Sequence, residues 1–342
     1  MATDLRSKFN DAHNPASRKL VHLLSNNSRL PISRISEQMK MGRGVMATVL
    51  KKLESDLKMS YTIELDSVKL GLVNPHLILV RFHRKPDYLD LVQTLSQSYV
   101  AQFAATIKGS YDMLIYANAY SLSDYLTWDM RMRALLMKKY RMEWETSDVS
   151  FNRIGYFPVR NEAIERASIK PRYRDMLKLL NMDSRIPLNH LSRILRMNYK
   201  TAIYAFDALM KEGYIKRFTV NLGIHDRISL MTLFNRFIPT SDYEGVEALV
   251  KEFYTSDDRL PLVNRSLLCS NLVGSYDFFT LGAYDDFKIG YKHGIELYSK
   301  LFKKYDITKT EYGEVKDVLI GKIPIRSVDV AKDFKHFHIP NI

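Results

Sequence analysis

Residues Arg172–Val220 read RYRDMLKLLNMDSRIPLNHLSRILRMNYKTAIYAFDALMKEGYIKRFTV, and this stretch decides the fold. Met176, Leu177, Leu179 and Leu180 line one side of a first helix over Tyr173–Asn181, which Ser184–Pro187 interrupts. Leu188, Leu191, Ile194 and Leu195 recur at helical spacing in a second, Leu188–Arg196. Met197-Asn198 is a short turn, with Asn198 placed as the N-cap of a third helix over Tyr199–Glu212. In that helix Ala202, Ala205, Phe206 and Leu209 face inward, and Gly213 stands where a terminating glycine belongs. Tyr214–Val220 then alternates like a strand. Three helices and a strand hairpin predict a winged helix-turn-helix, a unit that lays its third helix in the DNA major groove. The outward face offers Tyr199, Lys200, Tyr204, Asp207 and Lys211. Lysine and tyrosine reach phosphates, and tyrosine also reaches base edges.

The pattern occurs twice. Shifted by about 156 positions, Leu23–Lys52 overlays the stretch that begins at Leu179. Leu24 falls on Leu180, Ser28-Arg29 on Ser184-Arg185, Pro31 on Pro187, Met41 on Met197 and Leu53 on Leu209. Helices are therefore expected over Ala16–Asn27, Ile32–Lys40 and Arg43–Ser55, with a wing strand at Ser60–Leu65. In the third of these helices Met46, Val49, Leu50 and Leu53 point to the core, while Arg43, Ala47, Thr48, Lys51 and Lys52 point out. Gly42 and Gly44 flank Arg43, which lowers helix propensity and leaves room for a phosphate beside the backbone.

Between and after these units, apolar runs and turn residues predict a strand, helix, strand, strand, helix, strand order. In the first half it runs through Leu77–Phe82, Asp87–Ser98, Val100–Lys108, Met113–Ala119, Leu122–Tyr140 and Arg141–Ile154. The second half repeats it through Leu230–Ile238, Asp242–Thr255, Leu267–Leu272, Phe278–Ala283, Asp285–Tyr305 and Thr308–Ile320. Gly109-Ser110-Tyr111-Asp112 recurs 165 positions on as Gly274-Ser275-Tyr276-Asp277, and Lys138-Lys139-Tyr140 as Lys303-Lys304-Tyr305. The expected class is α+β: two winged helix-turn-helix domains, each followed by a ferredoxin-like βαββαβ domain. The boundaries are 1–70, 71–154, a connector at 155–170, 171–226, 227–321 and a basic, aromatic tail at 322–342.

With Leu191–Met197, Thr201–Ile215, the equivalent Ile35–Glu54 and both Gly-Ser-Tyr-Asp turns, the chain resembles the Lrp/AsnC (feast/famine) transcriptional regulators, in tandem duplicate. Such regulators abound in archaea, which makes an archaeal source plausible. In that family the second module, the RAM domain, dimerises and often senses amino acids. The resemblance implies a cytoplasmic regulator of double-stranded DNA, with DNA contacts from Arg43, Ala47, Thr48, Lys51, Lys52, Asn198, Tyr199, Lys200, Tyr204 and Lys211. It implies either RAM pairing within the chain, with Leu79 and Leu233 in the contact, or a homo-oligomer. It also implies a small effector such as an amino acid near Gly109, Tyr111, Asp112, Gly274, Tyr276 and Asp277; alternatively, each Asp simply caps a strand connection.

Charge fits an acidic partner. The net charge over 342 residues is +13, and Met1–Pro75 and Asn161–Asp226 each carry twelve Lys and Arg against seven Asp and Glu. The single cysteine, Cys269, lies in an apolar run and reads as a packing thiol. No run approaches a membrane span, and no signal peptide is evident. No metal-ligating or catalytic motif stands out, so neither metal nor cofactor is expected. Siroheme decarboxylases share this scaffold and use His and Arg in a tetrapyrrole pocket, and an architectural nucleic-acid-binding role is a further alternative. The enzyme reading is set aside because both third helices keep basic outward residues and Met113–Ala119 and Phe278–Ala283 carry no His or Arg. The expectation is a protein that is not an enzyme.

Overall fold

The computed structural model describes residues 15–56, 58–223, 229–237, 265–284, 288, 291–292 and 307–324. The chain opens with α1 (Pro15–Asn26), α2 (Ile32–Met39), α3 (Arg43–Asp56) and β1 (Ser60–Leu65). Then come β2 (Asn74–Phe82), α4 (Tyr88–Ser96), β3 (Ala101–Gly109), β4 (Met113–Ala119), α5 (Leu122–Tyr140) and β5 (Met142–Ile154). A short α6 (Asn161–Arg166) leads to α7 (Pro171–Met182), α8 (Leu188–Ile194), α9 (Tyr199–Lys211) and β6 (Ile215–Leu222). The described strands end with β7 (Ser229–Phe237), β8 (Arg265–Gly274), β9 (Phe278–Tyr284), β10 (Ile307–Ile320) and β11 (Ile323–Pro324). The architecture is α+β. Of the helix expected over 285–305 only 288 and 291–292 are described, and they are helical; the helix expected over 242–255, the Lys303-Lys304-Tyr305 repeat, the amino-terminal arm and the tail beyond Pro324 lie outside the described residues.

Local signals set the helix ends. Asp87 caps α4 by accepting the Leu89 amide at 2.9 Å, and Ser121 caps α5 by accepting that of Asp124 at 3.0 Å. Asn198 caps α9 through the Lys200 amide at 2.8 Å, and Gly213 beyond it has a φ of 76°, the left-handed conformation that favours glycine. Leu20, Leu24, Ile35, Met46, Val49, Leu50 and Leu53 are buried in the first helical unit. Met176, Leu177, Leu180, Leu191, Ala202, Ala205 and Leu209 are buried in the second.

The wings do not form as expected. Among the described residues neither β1 nor β6 folds into a hairpin within its own unit. They pair with each other, antiparallel, from Ser60 opposite Asn221 to Glu64 opposite Arg217. The ladder is centred between Thr62-Ile63 and Phe218-Thr219, positions 156 apart, as a two-fold relation between the units requires. After β1 the chain enters the turn at 66–73, so no second strand of the same unit follows to complete a hairpin. The long-range partner satisfies its backbone groups instead.

The short β11 adds to the other side of β6, Ile323 opposite Leu222, and the remaining eight strands close into a barrel in the order β10-β3-β4-β2-β5-β8-β9-β7. Within it, β3-β4-β2-β5 from the first half and β8-β9-β7-β10 from the second are joined by β5 on β8 and by β10 on β3. The halves therefore meet edge to edge at two seams, which removes the free edges that four-stranded sheets would leave. Close approach at one seam demands glycine: a Cβ on Gly109 would lie 2.2 Å from the Tyr312 carbonyl oxygen. Leu79 lies in the barrel core with Phe103, Leu114, Leu230, Phe234 and Phe279, whereas Leu233 falls on the opposite face of β7. One residue along a strand exchanges the faces, so Leu233 does not carry the contact expected of it. Phe157, from the connector, fills the barrel by stacking on Tyr116 at 3.7 Å and lying 6.3 Å from Phe279.

Candidate functional site

The two helical units are fastened by reciprocal contacts. The hydroxyls of Ser28 and Ser184 meet at 2.6 Å. Arg29 Nη1 donates to the carbonyls of Ser184 at 2.6 Å and Ile186 at 3.1 Å, and Arg185 Nη2 donates to that of Leu30 at 3.0 Å. Arg29 also sits 5.2 Å from the Phe206 ring and 5.4 Å from Phe218, which are themselves stacked. Phe206 is thus half-buried beneath a guanidinium rather than wholly in the core. Burial lowers the pKa of Arg29 from its ordinary value, with Asp183 opposing. Equivalent residues contact equivalent residues, so α3 and α9 flank one pseudo-two-fold axis.

On α3, Arg43, Thr48, Lys51 and Lys52 are exposed and Ala47 is half-buried; Thr48 Oγ1 donates back to the Gly44 carbonyl at 3.2 Å. A Cβ on Gly42 or Gly44 would meet nothing, so packing does not dictate glycine at either place. On α9, Asn198, Tyr199, Lys200, Tyr204 and Lys211 are exposed, Tyr204 to 72%. Arg43, Lys51, Lys200 and Lys211 form no ion pair with any described residue, which leaves their charge available to an outside anion.

The Gly-Ser-Tyr-Asp turns meet within the barrel. Tyr111 and Tyr276 are 3% and 1% exposed, and their hydroxyls lie 2.6 Å apart. Tyr111 donates to Glu145 Oε2 at 2.8 Å, while Lys309 Nζ lies 3.4 Å from the Tyr111 oxygen and 4.7 Å from the Tyr276 ring. Burial pushes Tyr111 up to about 12 and raises Tyr276 further. Asp112 Oδ2 accepts the Phe82 amide at 2.7 Å, the strand-capping alternative weighed for it. The Asp277 amide donates to the Asn235 carbonyl at 2.8 Å, and Gly274 ends β8 with a φ of 140°. These residues build the barrel, and neither of the clefts described below is lined by them.

A cleft of about 690 Å³ opens beside α5, lined by Tyr99, Asp124, Trp128, Arg131, Leu135 and Arg166 among others. The Arg166 guanidinium lies 4.8 Å from the Tyr99 ring, and the buried Trp128 Nε1 has no hydrogen-bond partner. Behind this wall Tyr125 stacks on His76 at 3.4 Å, and His76 Nδ1 lies 2.7 Å from Asp148 Oδ1. Burial holds the His76 pKa below its ordinary value, with Asp148 and then Asp129 opposing. His76, Arg131 and Arg166 lie on β2, α5 and α6, away from β4 and β9, the strands whose lack of His and Arg argued against a pocket. A histidine beside Pro75 at the start of a strand was the available signal. Among the described residues no group of three or more His, Cys, Asp and Glu could hold a metal, and no helix is long and apolar enough to cross a membrane.

No family model matches the sequence, and no curated protein sequence matches it significantly. Among solved structures the fold is similar to the siroheme decarboxylase NirDL, with a TM-score of 0.54 and 12% identity over 94% of this chain and 97% of that one. The same enzyme in co-complex with an iron-uroporphyrin III analogue gives 0.56 and 11% over the same shares. An AsnC family transcriptional regulator from Agrobacterium tumefaciens covers 42% of this chain and 93% of its own, at 17% identity and a TM-score of 0.36. The expectation that the chain is not an enzyme is thereby overturned: the fold shared over nearly its whole length is one on which an enzyme is built. Basic outward helices could not decide that point, because they do not preclude a reaction elsewhere on the same scaffold.

Proposed function

We propose that the chain binds double-stranded DNA as a regulator of the Lrp/AsnC type, presenting the helix-turn-helix units α1–α3 and α7–α9 from an intramolecular pseudo-dimer. The carrying observation is the reciprocal Ser28–Ser184 and Arg29–Arg185 seam, which fixes two helices with unpaired outward cations about one axis. A rigid pair of reading helices is the geometry with which helix-turn-helix dimers span two half-sites. The proposed contacts are Arg43, Thr48, Lys51, Lys52, Tyr199, Lys200, Tyr204 and Lys211. A mobility shift on random duplex at low salt tests this reading. Retardation that weakens in Lys51→Ala/Lys52→Ala and in Lys200→Ala/Lys211→Ala is expected; no retardation at low salt would refute it.

A second reading is supported by the fold match to an enzyme and by the cleft beside α5. Arg131 and Arg166 there suit the carboxylates of an acidic tetrapyrrole, and Tyr99 and Trp128 suit its ring faces. Titration with iron-uroporphyrin, followed by its visible absorption band, tests this. A saturable shift weakened by Arg131→Ala and Arg166→Ala supports tetrapyrrole binding, and an unshifted band excludes it. DNA retardation and the band shift are scored separately, since one chain can give both.

A further inference from the structure

A second cleft, of about 270 Å³, lies where the helical units meet the barrel. Its walls come from five separate stretches of chain: Thr62 on β1, Asn181 at the end of α7, Asn221 on β6, Val159–Glu162 in the connector, and Gly321-Lys322 after β10. Asn221 is 1% exposed, yet neither its Oδ1 nor its Nδ2 has a hydrogen-bond partner. An unpaired buried amide costs about 1–3 kcal/mol, so its presence calls for an occupant.

The polar groups around it are otherwise engaged. Thr62 Oγ1 donates to the Asn181 carbonyl at 2.8 Å, and Asn181 Nδ2 donates to the Val159 carbonyl and to Asn161 Oδ1, both at 2.9 Å. Arg160 is held by Glu162 at 3.0 Å and by the Ala101 carbonyl at 2.7 Å. Lys322 has no hydrogen bond or ion pair with any described residue, and partial desolvation lowers its pKa although it is exposed at the cleft mouth. Among the described residues the cleft therefore offers one cation without an ion-pair partner and one amide with both a donor and an acceptor free.

It also has no two-fold counterpart among the described residues. At the position 156 before Asn221 stands Leu65, and the connector that walls the cleft occurs once. Two identical subunits of half the length would not make it.

We propose that this cleft binds a small monocarboxylate with a neighbouring hydroxyl or oxo group. The carboxylate pairs with Lys322 and accepts from Asn221 Nδ2, while Asn221 Oδ1 accepts from the hydroxyl or from a water bridging to the oxo group. A single free cation matches one negative charge, and the volume is at the small end for a metabolite.

Ligand binding here is tested on the full-length chain without DNA, so that its outcome is separate from that of DNA retardation. Glycolate, lactate, pyruvate and 2-oxobutyrate are the probes in thermal-shift and saturation-transfer NMR measurements. Lactamide serves as the neutral control, and phosphate and chloride as the other anions. Binding of at least one carboxylate is expected, with no effect of lactamide. Asn221→Leu and Lys322→Met, confirmed folded by circular dichroism, are each expected to weaken it by about tenfold or more, the loss of one hydrogen bond to a charged group. Silence from all four acids, an equal response to phosphate and chloride, or a response unchanged in both variants overturns the proposal.

Discussion

The tyrosine pair inside the barrel gives an unequal and therefore informative response to two similar substitutions. Tyr111 donates to Glu145, so the proton between the two phenols belongs to Tyr276, which donates to Tyr111. In Tyr276→Phe one hydrogen bond disappears and the Tyr111 oxygen keeps Lys309 at 3.4 Å. The expected cost is about 0.5–1.5 kcal/mol. In Tyr111→Phe the bond to the Glu145 carboxylate is lost, and the Tyr276 hydroxyl, in a residue 1% exposed, is left without its acceptor. That combination costs about 2–4 kcal/mol. The double Phe variant removes the orphan as well, so it falls short of the sum of the singles by about 1 kcal/mol. Urea unfolding of the three variants, with the midpoint and slope fitted separately, measures this. Equal costs for the singles, or strict additivity, refute the donor order and the burial assigned to it. An alkaline signature accompanies it. Tyr111 is raised from 10.0 to about 12, so its contribution is full below pH 10 and is lost as pH climbs from 10 towards 12. Tyr111→Phe flattens that limb.

Three further outcomes follow from particular contacts. His76 has a folded pKa below its ordinary 6.5, so the unfolded chain takes up its proton first and stability falls as pH drops through that value. Urea midpoints between pH 7 and 5 should show that loss, reduced in His76→Gln; an unchanged slope refutes it. Gly109→Ala drives a Cβ into the Tyr312 carbonyl and is expected to destabilise by more than about 2 kcal/mol or to open the β3–β10 seam, while Gly42→Ala, facing open space, is expected to be neutral or stabilising on thermal melting. The two outward helices differ, with Thr48 on α3 where Tyr204 stands on α9, so selected duplexes should be directional: Arg43→Ala and Tyr204→Ala should each relax a different half-site, and a palindrome altered alike by both contradicts this.

Much of the local structure is legible because its causes are local. The inward rows Met46-Val49-Leu50-Leu53 and Ala202-Ala205-Leu209 fall on the buried faces predicted for them, since a helix's burial pattern repeats within a few residues. Asn198 and Gly213 act at the helix ends where their chemistry places them. The exposed residues of α3 and α9 follow from the same periodicity by complement. The chemistry of the clefts does not. His76, Arg131 and Arg166 belong to different elements, and their proximity to one another's neighbours follows only from how α5 lies on the sheet. The Asp112 carboxylate has two uses open to it in sequence, and that the Phe82 amide lies 2.7 Å from it follows only from how the strands pair.

The sequence by itself determined the described helices and most of the described strands, because side-chain periodicity, capping and turn chemistry act over one or two turns of chain. Tertiary structure alone decided what each strand pairs with. Ser60–Leu65 has the same alternation whether it folds into a wing or crosses to β6, and an unpaired ladder records no partner until another edge at the right distance supplies one. The same holds for the barrel seams at β3–β10 and β5–β8, and for Asn221, an ordinary strand residue in sequence. Its unpaired amide arises from the meeting of β1, β6, the connector and the end of β10 at one point.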